Sequence, residues 1–193
     1  GRIGNFEKAV IEAKKALPIV EKEIGKENLT MASIYGDLSF YYSSQGSKYL
    51  YEAEDYCLEA LRIHKAESGE SHLSTASVYK NLAEVYRKME KFEIAINCCK
   101  KAIEIRITNL GENSPYVASA YNNLAKIYLF TKKYAAARSY YLSALKIQEY
   151  EMKNHPDIST TYHGLGELCI QQKNYKEAKE WFAKALIIRQ MSL

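Results

Sequence analysis

One register runs through the chain from end to end. An Ala followed by a large aliphatic residue stands at Ala16-Leu17, Ala60-Leu61, Ala102-Ile103, Ala144-Leu145 and Ala185-Leu186, at spacings of 44, 42, 42 and 41 residues. Seven residues before each of these alanines is another: Ala9, Ala53, Ala95, Ala137 and Ala178. Ten before is a large apolar residue: Phe6, Leu50, Phe92, Tyr134 and Tyr175. Twenty before, in the last three units, is Leu82, Leu124 or Leu165; in the first complete unit it is Leu38, at 22, which places a two-residue insertion in GSKYLY. A period of this length marks stacked units, each too small to close its own apolar face.

The residue sizes give the unit its shape. Tyr79, Leu82, Ala83 and Tyr86, and again Tyr121, Leu124, Ala125 and Tyr128, follow offsets of three and four and line one face of a helix A. The alanines of a following helix B sit where two backbones approach and only a methyl group fits. In the second unit, A is expected over 73–88 and B over 91–109. Glycines at 25, 69 and 111 fall where a helix end needs a left-handed residue. Pro115 and Pro156 then open the next helix, where a missing N–H does no harm. Only three prolines and nine glycines interrupt 193 residues, which favours long helices. Pro18 is the misfit, two residues past Ala16, and predicts a kink or a late start to its helix. The fold expected is an all-α, right-handed superhelical solenoid of antiparallel helix pairs. A truncated leading repeat supplies helix B at 4–24; complete repeats follow at 29–68, 72–110, 114–152 and 155–193. The opening GRIGNFEKAV has no initiator Met, so a fragment of a larger protein is expected.

Composition bounds the rest. Hydrophobic residues at 47% and charged residues at 26% suffice for a packed core. A net charge of +4 is thin for a nucleic-acid binder, which ordinarily shows a denser basic stripe. No apolar run approaches the roughly 18–20 residues that span a bilayer, and no secretory signal opens the chain. Cys57, Cys98, Cys99 and Cys169 contain no CxxC pair, and read as free thiols of a reducing, cytoplasmic compartment. No partner in a membrane or a nucleic acid is therefore expected.

The pattern of Tyr, Leu, small and Tyr followed by Ala, aromatic and Ala resembles the tetratricopeptide repeat. The 42-residue spacing, with NLGENSPYVASAYNNLAKIY and MKNHPDISTTYHGLGELC, is similar to the kinesin light chain type, in which a turn like LGxxHPxVA leads into LNNLAxLY. The resemblance implies a stack of hairpins whose inner groove is lined by helix A, and Tyr35, Tyr79, Tyr121 and Tyr162 stand where the family often has Trp. Residues of helix A not assigned to packing then face the groove. In order along the chain they are Ser33, Gly36, Asp37, Phe40 and Ser43; Ser77, Lys80, Asn81, Glu84 and Arg87; Ser119, Asn122, Asn123, Lys126 and Leu129; Thr160, His163, Gly164, Glu167 and Ile170.

An Asn amide offers a donor and an acceptor, matching one peptide unit of an extended ligand. The resemblance implies that role for Asn81 and Asn123; the alternative is that each amide bonds within its own hairpin. Lys80, Arg87 and Lys126, with Lys88 nearby, make the middle basic, Phe40 and Leu129 offer apolar contact, and Glu84 and Glu167 counter the charge. Kinesin light chains take short acidic peptides with an apolar anchor in this groove, and the layout here is compatible with one, or with a solvated mixed-charge face. The Lys/Asn carboxylate clamp of chaperone-binding members is absent, since Gly36 and Phe40 stand at its first pair of positions and Ser119 and Asn123 at its last.

His163 and Glu167 have the i, i+4 spacing of a metal pair, but a zinc site needs three or four ligands, and Cys169 sits at a core position. GLGEL at 164–168 lies inside a helix rather than after a strand, so a phosphate loop is not expected. No catalytic triad converges, and Cys57 and Cys99 stand at the packing position that Tyr141 and Phe182 hold later. Tyr41, Tyr42, Tyr49 and Tyr51 cluster beside the insertion, as core or as an aromatic contact surface. The reading is a non-catalytic adaptor or scaffold of kinesin-light-chain-like type, without cofactor or metal, that binds a segment of another protein. Self-association through apolar ends and a peptide-sensing receptor domain are the alternatives.

Overall fold

The computed structural model describes residues 2–151 and 155–191, with side chains from residue 6 onward. Among them there are nine α-helices, one 3-10 turn and no strand. The helices are α1 (Arg2–Ile24), α2 (Leu29–Gln45), α3 (Leu50–Glu67), α4 (Leu73–Lys88), α5 (Phe92–Leu110), α6 (Pro115–Phe130), α7 (Tyr134–Glu151), α8 (Pro156–Gln171) and α9 (Tyr175–Met191). The 3-10 turn, Ser47–Tyr49, holds the inserted residues of the first repeat. Two compact units divide the chain, Gly1–Ile105 and Arg106–Leu193, with the division inside α5. In the first, α1 packs on α2, α2 on α3 and α3 on α4, and α2 also meets α4. In the second, α6 packs on α7, α7 on α8 and α8 on α9, and α6 also meets α8.

Local chemistry sets the helix ends. The side chains of Asn28, His72, Ser114 and His155 accept from the backbone N–H of Met31, Ser74, Tyr116 and Asp157, and so cap α2, α4, α6 and α8. Pro115 and Pro156 occupy the first turn behind these caps. Between repeats, Gly25, Gly69 and Gly111 take φ of 85°, 94° and 80°. The turn from helix A to helix B instead uses Glu90, Lys132 and Lys173 at φ of 60°, 58° and 61°. Each is followed by a bond back across the helix end, Lys91 N to Tyr86 O, Lys133 N to Tyr128 O and Asn174 N to Cys169 O, at 2.8 to 2.9 Å. These bonds satisfy carbonyls the helix leaves open and offset the left-handed strain. Pro18 does not delay α1, which runs through it from Arg2 to Ile24.

Packing follows the register. Ala53, Ala60, Ala95, Ala102, Ala137, Ala144, Ala178 and Ala185 are all buried, as are Leu38, Leu82, Leu124 and Leu165. In the first repeat Ser39 stands where Ala83 and Ala125 stand later, and its hydroxyl donates to Ala53 O at 2.7 Å across the hairpin. The tyrosines of the first repeat divide: Tyr42 is buried and stacked on Tyr56 at 5.7 Å, while Tyr51 is exposed. The two glycines of GLGEL are packing residues. A Cβ at Gly166 would come within 2.6 Å of the Phe182 ring, and one at Gly164 within 2.5 Å of the Tyr141 ring.

Two predictions follow from these contacts. Gly164→Ala should destabilise the protein by about 1–3 kcal/mol through overpacking on Tyr141. In a Tyr141→Cys background the same change should become neutral or stabilising, because Ala favours a helix interior by about 1 kcal/mol over Gly; urea denaturation of the four proteins reads the change of sign. The second concerns His64 of α3, whose Nδ1 is buried without a partner among the described residues. Burial, and then nearby His72, hold its pKa below the ordinary 6.5. The neutral ring is favoured in the folded state, so stability present above pH 6.5 is lost as pH falls through the lower folded value. His64→Leu should flatten that part of the stability profile between pH 7.5 and 5.

Candidate functional site

In the first unit the candidate side chains stand on α2 and α4. Phe40 is 56% exposed and meets the Phe6 ring edge-on at 6.0 Å. Ser43, expected on the same face, is buried and donates to Phe40 O at 3.0 Å. On α4, Lys80, Asn81, Glu84 and Arg87 are half-buried. Arg87 binds Glu84 through two parallel bonds, Nε to Oε2 at 2.8 Å and Nη2 to Oε1 at 2.6 Å. The Lys88 ammonium donates to Ser43 O at 2.8 Å, tying the end of α2 to α4. The basic middle expected from the sequence is thus partly neutralised on its own helix.

In the second unit the candidates stand on α6 and α8. Ser119 and Lys126 are exposed, and Asn123 and Leu129 are half-buried. Asn122 turns toward α8: its Nδ2 donates to Thr161 Oγ1 at 2.7 Å, and Thr161 donates to Gln148 Oε1 of α7 at 2.6 Å. That buried chain joins three helices. Asn81 and Asn123 differ from it, since among the described residues neither amide makes a hydrogen bond within the protein.

Between the C-terminal halves of α6 and α8 lies an open cavity of about 430 Å³. Leu129, Phe130 and Ile170 supply its apolar wall, Lys126 and Lys132 its basic rim, and Glu167 and Gln171 the opposite rim. His163 stands one turn before Glu167, its Nδ1 3.7 Å from Oε1, with its ring 5.3 Å from that of Phe182. Sequence reasoning placed Lys126, Leu129, Glu167 and Ile170 on this face but passed over Phe130, Lys132 and Gln171. The signal for them is position: Phe130 and Gln171 are the last residues of their helices, and Lys132 is the left-handed residue of the turn.

Burial pushes the Cys57 thiol up to about 12 and the Cys98 thiol up to about 11, and it raises Cys169 as well. Such thiols stay protonated at neutral pH and are poor nucleophiles. Among the described residues no three His, Cys, Asp or Glu side chains group to hold a metal. No described helix is long and apolar enough to cross a membrane.

Comparison with known proteins agrees with this architecture. The Tetratricopeptide repeat profile matches residues 50–108, 77–149 and 116–191. Amyloid protein-binding protein 2 of Rattus norvegicus, and the same protein of Mus musculus, are each 29% identical over 98 residues, which is 46% of this chain. The match spans 17% of the length of those proteins. Among solved structures, BtubC (BKLC) from P. vanneervenii is 27% identical with a TM-score of 0.80, over 98% of this chain and 75% of that one. A putative kinesin light chain of Podosopora anserina, with nearly identical TPR-like repeats, shares the fold at 18% identity and a TM-score of 0.76, over 98% and 89%. Helix pairs in a register of 41 to 44 residues, matched to one repeat profile from residue 50 to 191, place this chain in the tetratricopeptide repeat family.

Proposed function

We propose that the chain is a non-catalytic binding module that holds a short, extended segment of another protein against its A helices, as an adaptor or scaffold of kinesin-light-chain-like type. The observation that carries the reading is the cavity between α6 and α8, apolar at its wall and basic along the α6 rim. A few convergent polar groups around an apolar recess are what a preformed ligand site requires. Asn123, three residues before Lys126, has donor and acceptor capacity left over for a ligand main chain; Asn81 offers the same in the first unit. Lys126 and Lys132 have no ion-pair partner among the described residues, which favours an acidic segment with an apolar anchor. Phe40, Lys80, Glu84 and Arg87 are the candidate contacts of the first unit by itself; in the second, Ser119, Leu129, His163 and Glu167 are the candidates beside Asn123 and Lys126. The tetratricopeptide family is generally non-catalytic and binds proteins; the name of Amyloid protein-binding protein 2 describes binding of that kind. A reducing, cytoplasmic setting suits the free thiols.

The test is a fluorescence-anisotropy titration with an acidic peptide carrying one Trp. Asn123→Leu should weaken binding about tenfold, the effect of losing one or two hydrogen bonds of about 1 kcal/mol each, with helical content unchanged. Lys126→Glu should weaken it further and flatten its salt dependence. Asn122→Leu should act on stability instead, lowering the urea midpoint by breaking the chain to Thr161 and Gln148. Unchanged affinity in both Asn123→Leu and Lys126→Glu would reject the site.

A further inference from the structure

The cavity between the C-terminal halves of α6 and α8 carries opposite charges on its two rims. Lys126 and Lys132 stand on the α6 side and Glu167 on the α8 side, all three exposed, with Leu129, Phe130 and Ile170 as the wall. Glu167 follows Lys126 by 41 residues and holds the same place in the register, so consecutive A helices offer a ligand opposite signs. Elsewhere in the molecule such neighbours close on one another, as Arg87 and Glu84 do on α4 and Arg138 and Glu177 do between α7 and α9. Across this mouth they do not: among the described residues no ion pair joins Lys126 or Lys132 to Glu167. Glu167 has instead the His163 ring of its own helix, Nδ1 to Oε1 at 3.7 Å, an ion pair only while the ring is protonated.

We propose that the segment bound here carries both signs: an apolar side chain in the recess, a carboxylate toward α6, and a lysine or arginine toward α8. The inference rests on the reading of this cavity as a peptide site and adds to it the selection of a base at one flank. A segment acidic on both flanks satisfies Lys126 and Lys132 but sets a carboxylate against Glu167, and such a like-charge contact rejects a partner. A segment of mixed sign compensates both rims. Gln171, exposed one turn beyond Glu167, adds an amide oxygen that accepts from the same cation. The anchor between the two flanks excludes water from the mouth, so both pairs gain from weaker screening. Packed helix axes lie roughly 8–10 Å apart, and an extended chain advances about 3.3 Å per residue. Acid and base therefore stand about three residues apart in the ligand, with the anchor between them.

The probes are two capped, labelled peptides of equal length, each with one Asp and one Trp. They differ only in the residue three places after the Asp, beyond the Trp, which is Lys in one and Glu in the other. The formal charge of +4 on the chain by itself favours the more acidic peptide, so a preference for Lys cannot come from bulk attraction. Titrated into the intact protein, the Lys peptide should bind about fivefold tighter than the Glu peptide. Glu167→Lys should reverse that order, and Glu167→Gln should abolish the preference without reversing it, which keeps the test open if the first variant loses helical content by circular dichroism. Lys126→Glu should weaken both peptides. Equal affinity, tighter binding of the Glu peptide, or a preference for Lys that survives both substitutions at Glu167 overturns the inference while leaving the peptide site itself standing. Binding of neither peptide overturns the reading of the cavity as a peptide site, and this inference with it.

Discussion

Close approach of helices at alanine is the constraint on which the rest of the molecule depends. Each helix has an apolar stripe too broad to leave wholly in water and too short to close on itself, and it is closed where a neighbouring helix packs on it. The neighbour comes near enough only because the contact residue is a methyl group, and the eight alanines of α3, α5, α7 and α9 at these positions are buried almost completely. Once that distance is fixed, place in the register decides the fate of every other side chain. A tyrosine at one position is core. A residue on the opposite side of the same helix, such as Phe40 or Lys126, is open to solvent.

That is why so much was legible in the sequence. The bounds of α4, the start of α6 at Pro115, the glycine turns and the buried Leu and Ala positions all follow from sizes and spacings that no other packing would reward. What escaped belongs to pairwise geometry. Nothing in the letters of Glu90, Lys132 or Lys173 announces a left-handed residue, because the strain there is offset by bonds across the helix end. Pro18 predicts a kink or a late start, and of these the late start does not occur, since α1 begins at Arg2 and continues through it. Asn122 and Asn123 are identical neighbours in sequence. A rotation of about 100° per residue on the helix turns one to Thr161 and leaves the other without a hydrogen-bond partner among the described residues.

The two units offer ligands different electrostatics. On α4 the Arg87 guanidinium is bound by Glu84, and Lys88 closes the end of α2, so their charge is largely engaged in holding the unit together. On α6 and its following turn, Lys126 and Lys132 edge an apolar recess. A cation already paired contributes little further attraction, since the ligand would have to compete with an anchored carboxylate. On the proposed reading, attraction of an acidic segment therefore comes from Lys126 and Lys132 rather than from Arg87.

The loss of the recurring Asn in the last repeat has a cause in the core. The repeat after Cys57 carries Asn81, and the repeat after Cys99 carries Asn123; the repeat after Tyr141 carries Gly164 at that place. The Tyr141 ring fills the space a side chain at 164 would need. A ring on helix B of one repeat thus excludes an Asn at that place on helix A of the next. The exposed side chains further along α8 are a carboxylate and an aliphatic, Glu167 and Ile170. One side-chain volume in the core decides which residue the neighbouring helix can carry.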